Sequence, residues 1–391
     1  MKILVLPSWY IPNGGYFFKE QSLALAHKGY DVSVLPVNEY SIRMINRIPK
    51  PNSLFKIRKA DEDGLRTFRC DYLGIPKGNE FVNLRIRRYI TEKVFKYYVD
   101  KYGTPDLIHV HSVIWGGYIA SILKAKYGIP YVITEHRGRF VNNKYVDPNQ
   151  LKEEYTPYIR DGLKNADRVI TVSNSLNQKL TSYDATITKR LITIPNMVDT
   201  EFFVPEPQSM VNDGCFTFFC LGGLVFLKGF DLVIKAFKTV SDKYANCRLV
   251  IGGEGPEKYN LERLVIDLDL QDKIVFLGQL NRTQVREQMQ NCHVFILPTR
   301  YEAFGVVYIE ALSCGIPIVG TRAGGPENII DETNGLLVDP DDVMQLADAM
   351  ITIIDNYDKY DFERIRQDAV NKYSIEVVVE SIIREFKNVL Q

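Results

Sequence analysis

TRYEAFGVVYIEALSCGIP, residues 299–317, follows the apolar run Val294–Leu297 and changes period within a few residues. The run predicts a strand, the next residues a loop carrying Glu302, and the remainder a helix that starts near Gly305 with Glu310 on its second turn. Gly305 allows a ligand close to the backbone, and the first amides of such a helix, those of Phe304, Gly305 and Val306, form an anion site. Glu302 can accept from sugar hydroxyls and Glu310 from a ribose. Each also has a plain reading, Glu302 as a surface residue and Glu310 as a half-buried carboxylate with a structural partner.

The same strand-loop-helix rhythm runs outward in both directions and predicts parallel sheets covered by helices, an α/β protein. Expected strands are Ile3–Leu6, Val32–Leu35, Leu107–His111, Tyr131–Thr134, Val169–Val172 and Leu191–Ile194. Residues 199–215, rich in Pro, Asp and Asn, read as a linker. The rhythm restarts with Phe216–Leu221, Leu249–Ile251, Ile274–Leu277, Val294–Leu297 and Pro317–Val319. The expected organisation is two Rossmann-like doubly wound domains, 1–198 and 216–373, and a final helix, 374–391, returning to the first. Ligands of such sheets bind beyond the carboxyl ends of the strands, so two facing domains make a deep cleft.

Composition narrows the function. With 391 residues, 46% hydrophobic and 25% charged, the chain has the balance of a globular protein. Lys+Arg and Asp+Glu both number 48, so no global field draws it to nucleic acid. The six cysteines form no C-x-x-C pair and read as buried thiols. MKILVLP is expected to be a first strand and not a signal peptide, which points to the cytosol, with the inner face of the membrane as a second possibility.

Four further stretches carry chemistry. LGGLVFLKGF (221–230) puts Lys228 at a helix start, where the dipole disfavours a cation unless a diphosphate is there to be neutralised. PSWYIPNGGYFFKEQ (7–21) ends its loop in Gly14-Gly15, whose amides suit a phosphate or sugar. HVHS and TEHRGRF bring His109, His111, His136, Arg137 and Arg139 to strand ends. His109 and His111 share a strand face, but no third ligand stands at a recognisable interval, so no metal is expected. IGGEGPEKY lacks the full dinucleotide order, and VDPDD (338–342) reads as a turn before a helix.

Glu302 and Glu310 with the seven residues between them resemble the E-x(7)-E signature of glycosyltransferase family 4, retaining enzymes of the GT-B fold. The likeness continues through ALSCGIPIVGTRAGGPENIIDETNGLLVDPDD, IPNMVD and the Lys228-Gly229 helix start. It implies a metal-independent transfer from a UDP- or GDP-sugar to a glycan, lipid-linked or small-molecule acceptor in surface polysaccharide or glycoconjugate synthesis, with no cofactor. On this resemblance His136, Lys228 and Glu302 are catalytic. Gly14, Gly15, Gly222, Gly223, Glu254, Leu280, Phe304, Gly305, Val306 and Glu310 bind the donor, and His111, Arg137 and Arg139 face the acceptor. One departure matters: Gly223 stands where relatives commonly carry a phosphate-binding arginine. Its loss costs on the order of 1.5–3 kcal/mol unless another cation compensates. Restoring it requires a backbone at 223 that accepts a side chain.

Rival readings are a GT-B nucleotide-sugar epimerase and a weak or inactive sugar-nucleotide-binding protein. Between Ser41 and Lys101, 15 Lys+Arg face 7 Asp+Glu. Residues 79–101 mix aromatic and basic residues at helical spacing, which suits either a peripheral membrane contact or a solvated basic helix packed on its own domain.

Overall fold

The computed structural model describes residues 1–10, 16–41, 51–75, 80–142, 144–145, 151–205 and 214–391. Two sheets carry the chain. The second is the simpler: β10 (Phe216–Leu221), β11 (Cys247–Gly252), β12 (Ile274–Gly278), β13 (Val294–Ile296), β14 (Ile318–Thr321) and β15 (Gly335–Val338). They lie in the order β12-β11-β10-β13-β14-β15, every pairing parallel. This doubly wound order reverses direction at β10, so the crevice between β10 and β13 is its switch point. The runs TFFC and VFI are buried on both faces, as a helix-covered parallel strand requires.

The first sheet has nine strands: β1 (Lys2–Pro7), β2 (Asp31–Val34), β3 (Val37–Tyr40), β4 (Arg58–Glu62), β5 (Leu65–Leu73), β6 (Leu107–His111), β7 (Tyr131–Glu135), β8 (Arg168–Thr171) and β9 (Leu191–Thr193). Its order is β3-β5-β2-β1-β6-β7-β8-β9, with β4 antiparallel on β5 and the switch point between β1 and β6. Strands β3, β4, β5 and β15 were not expected from sequence. β3 to β5 interleave charges with apolar residues, and the fold pairs those charges: buried Asp71 meets Arg58 and Asn38, and Arg69 meets Glu62 at 2.8 Å.

The helices that position the cleft are α1 (Tyr16–His27), α2 (Glu80–Tyr102), α3 (Tyr118–Tyr127), α4 (Thr156–Lys164), α5 (Asn177–Tyr183), α6 (Phe230–Lys243), α7 (Lys258–Asp267), α8 (Arg282–Gln290), α9 (Val306–Ser313), α10 (Val343–Asp355), α11 (Phe362–Tyr373) and α12 (Ile375–Leu390). α2 buries Ile90, Val94, Phe95 and Tyr98 in the first domain and leaves Val82, Arg85, Arg88 and Tyr89 outside. α12 carries Val379, Ile382, Ile383 and Phe386 into one cluster with Ile3, Val5, Leu25 and Val32, so the chain's last helix completes the first domain's core. Among the described residues, no helix is long and apolar enough to cross a membrane. All six cysteines are free thiols.

Candidate functional site

At the β10/β13 switch point the chain places a lysine against a carboxylate. A 3₁₀ turn, residues 226–228, ends in Gly229, which caps α6 at φ 70. A Cβ at 229 would stand 2.0 Å from the Pro298 carbonyl oxygen, so only glycine lets this turn lie on the loop after β13. Lys228 Nζ thereby reaches Glu302 Oε2 at 2.5 Å. Burial pushes the Glu302 carboxyl upward, but Lys228 and the Phe304 and Ala303 amides outweigh it, and its pKa lies below the ordinary value. The Phe304 amide is therefore turned onto Glu302. The Gly305 and Val306 amides have no acceptor among the described residues, and α9 starts directly behind them.

Arg300 holds the two loops together. It is 3% exposed, makes two 2.9 Å bonds to Asp231 and one of 2.7 Å to Asp341, and lies 3.8 Å from the Phe226 ring centroid. Sequence reading passed over it because its partners are 69 and 41 residues away.

The loops after β10, β11 and β12 stack beside this pair. Gly222 N–H donates to Gly252 O, Gly253 N–H to Gly278 O, and Leu224 N–H to Glu254 O. Gly222 is half-buried in this stack, while Leu280 packs beside Gly252 and the Glu254 side chain is exposed on Lys258 at 2.8 Å. Gly223 has no atom within 4 Å of a Cβ built on it, and its φ is outside the positive region. The backbone there is thus open to a side chain, which meets the condition for restoring an arginine at 223.

Glu310 stands one and a half turns into α9, on the wall of a cavity of about 540 Å³ between the domains. Glu20 of α1, Arg282 of α8, Asp199 and Val306 share that wall, and α12 closes its base. Burial raises the Glu310 carboxyl to about 7; Arg282 opposes this and Glu20 adds to it. Arg282 itself pairs with Asp199 at 3.2 Å and lies over Phe202. Lys228 and Glu302 are not on this wall, so Glu310 belongs to a neighbouring compartment of the same cleft.

The facing wall is the carboxyl edge of the first sheet. Gly14 and Gly15 lie outside the described residues. His136 is 9% exposed and turns inward: its Nε2 is hydrogen-bonded to His111 Nδ1 at 3.1 Å, and its ring packs on Phe17 and Phe18. Burial, with His109 beside it, lowers its pKa to about 3, so the ring is neutral. His111, also neutral through burial, stacks on Phe18 and has no exposure, which moves it from the acceptor surface expected for it to the layer beneath. Arg137 lies 3.9 Å over the Trp9 ring. Gly138 abuts Tyr301 of the other domain, which sets the loop carrying Arg137 and Arg139 against the loop carrying Glu302.

Glu135 organises this wall and was missed by sequence reading. It is fully buried and accepts from Ser112 Oγ, the Val113 amide at 2.7 Å, and the amides of His136 and Arg137 at 3.0 and 2.9 Å. Those bonds hold Ser112 and Trp115 at φ 74 and 67, conformations unfavourable for non-glycine residues, and Ser8 Oγ supports them by donating to Ser112 O and Ile114 O. A charged residue at the end of a buried strand was the available signal. Among the described residues, no group of three or more His, Cys, Asp or Glu side chains is placed to hold a metal ion.

A family model described as Glycosyltransferase Family 4 matches residues 15–202, and one described as Glycosyl transferases group 1 matches residues 206–371. An uncharacterized glycosyltransferase of Methanocaldococcus jannaschii is 28% identical over 363 residues, 91% of this chain and 89% of that protein. A Bacillus subtilis glycosyltransferase assigned to teichuronic acid biosynthesis is 27% identical over 366 residues, 90% and 88% of the two chains. The crystal structure of Anabaena HepE in complex with UDP superposes with a TM-score of 0.76 at 17% identity, covering 99% of this chain and 100% of that one.

Proposed function

This chain is a glycosyltransferase with the GT-B fold, and from that premise we propose that it moves a sugar from a UDP- or GDP-sugar to a glycan, lipid-linked or small-molecule acceptor. The transfer retains anomeric configuration, uses no divalent metal, and serves surface polysaccharide or glycoconjugate synthesis in the cytosol or at the inner face of the membrane. The UDP carried by HepE and the role assigned to the Bacillus relative support the donor and the setting.

The observation that carries the mechanism is the Lys228–Glu302 pair at the switch point. A diphosphate entering there attracts Lys228 and the Gly305 and Val306 amides, which stabilise the charge that develops as the phosphate leaves. Glu302, released from the lysine, then accepts from the sugar hydroxyls. Glu310 accepts from the ribose. His136 is neutral, a poor proton donor at neutral pH, and turned inward onto His111, so it supports the sugar-facing surface from beneath. The bond between the anomeric carbon and the phosphate oxygen breaks while the acceptor oxygen bonds to that carbon on the same face, and the departing phosphate oxygen takes the acceptor's proton.

UDP and GDP titrated with and without chelator test the binding step, and release of nucleotide from UDP-, GDP-, ADP- and dTDP-sugars identifies the donor. Affinity that disappears in chelator contradicts the metal-independent reading. Tight nucleotide binding with no release from any donor sugar leaves the chain a binding protein.

A further inference from the structure

Four large apolar side chains of the first domain stand in solvent on or beside its basic helix. Phe55 and Tyr89 are each 59% exposed, Ile75 46% and Val82 38%. Phe55, Ile75 and Val82 gather at the first turn of α2. There Ile75 N–H donates to Asn83 Oδ1 at 2.9 Å, Tyr72 Oη donates to Asn83 O at 3.4 Å, and the Phe55 ring lies 6.4 Å from the Tyr72 ring. Phe55 is held at φ 59, unfavourable for a bulky residue, with its N–H on Asp71 O at 2.7 Å. Strain and exposure both count against this placement in the isolated chain.

Along the helix the pattern turns basic. Val82, Arg85, Tyr89, Lys93 and Lys96 follow at intervals of three and four, so one exposed face carries them. Lys93 Nζ lies 4.5 Å over the Tyr89 ring. The acidic neighbours are engaged: Glu92 with Arg88 at 2.9 Å and Lys126 at 3.5 Å, and Asp100 with Lys96 at 2.9 Å. Among the described residues, Arg85 and Lys93 have no carboxylate partner, and Lys56 stands exposed next to Phe55. The whole chain carries 48 charges of each sign, so the excess here is local.

An apolar tip with a basic band beside it fits an anionic bilayer, which takes rings at its interface and cations among its headgroups. The same turn of α2 gives Asn83, Leu84 and Arg87 to a cavity of about 200 Å³ that Glu39 and Trp115 complete. The tip thus adjoins the side-chain wall of the cleft. We infer that this face of α2, with the Phe55 turn, docks the protein on an anionic membrane, the rings entering the interface while Arg85 and Lys93 meet lipid phosphates. That the membrane also presents the acceptor rests on the glycosyl-transfer reading; the surface is tested without it.

The full-length protein is sedimented with vesicles of phosphatidylcholine alone and of phosphatidylcholine and phosphatidylglycerol in equal parts. It should bind the anionic vesicles about tenfold tighter or more, and lose that preference as salt rises. The double variant Arg85→Glu/Lys93→Glu should weaken this binding by about tenfold or more, and Phe55→Ser should weaken it severalfold. Phe55→Trp emission should shift to the blue on anionic vesicles. No preference for anionic vesicles, undiminished binding by a double variant that melts normally, or an unmoved Phe55→Trp emission overturns the surface. Absent vesicle binding together with a dimer that the double variant dissociates gives the face to a second copy, and overturns it too. Vesicle binding of this pattern without release of nucleotide from any donor sugar supports the surface and counts against the proposed function.

Discussion

On the C-terminal wall of the cleft, backbone packs on backbone. A Cβ at Gly253 would lie 1.9 Å from Gly222 O, and one at Gly255 2.3 Å from Leu224 O. On the N-terminal wall the surface is made of side chains: Glu135 gathers four donors, Phe18 stacks on His111, and Arg137 lies on Trp9. Buried polar atoms differ in the same way. Among the described residues, His109 Nδ1 and His111 Nε2 are buried without a hydrogen-bond partner on the N-terminal side, whereas the C-terminal glycine loops satisfy one another through ladder-like amide bonds. A wall of fixed amides suits a ligand part that never varies, such as a diphosphate. A wall of side chains can be rewritten residue by residue, which suits the partner that differs from one such enzyme to the next.

The sharpest test of that contrast is Lys228→Ala. Removing the cation at the leaving group should lower turnover by about 10²–10³-fold and weaken nucleotide binding as well. Full activity in this variant would mean that leaving-group charge is met somewhere other than the C-terminal wall.

Glu135→Gln probes the other side. Its amide would point a donor at donors, costing about 2–4 kcal/mol of stability. The melting temperature should fall and acceptor KM should rise, while UDP affinity in the folded fraction stays near wild type. A variant as stable as the wild type would show that Glu135 does not organise this wall.

Glu310 lies between the two walls and gives a pH signature. Its folded pKa of about 7 exceeds the ordinary 4.5, so folding favours the protonated form. The stability this provides is complete below the unfolded pKa and lost as pH rises through about 7. Glu310→Gln should therefore match the wild type near pH 4.5 and melt higher at pH 8. A gap between the two melting curves that does not change with pH would contradict the burial argument.

The smallest effect is expected from Gly223→Arg. The position is exposed and has room for a Cβ, so the substitution should fold normally and tighten donor binding by a few-fold, about the value of one partly exposed charge-assisted contact. Weakened binding of UDP in a stable variant would place the diphosphate away from this loop.

Which parts of this arrangement were legible beforehand follows from how local their causes are. The strand-loop-helix unit around Glu302 and Glu310, the glycine loops, and the α/β class are written in short-range periodicity and turn chemistry, and the sequence by itself determined them. Strands β3 to β5 escaped because their charged residues read as solvent-facing, and only pairing such as Asp71 with Arg58 and Asn38 makes burial affordable. The tertiary structure alone decided that Lys228 and Glu302, 74 residues apart, form one ion pair. It also decided that His136 turns inward onto His111 and that Arg300 ties the two donor loops together. Those outcomes depend on which strand ends become neighbours when the sheet winds both ways from its first strand, and hydrophobic pattern alone carries no record of that order.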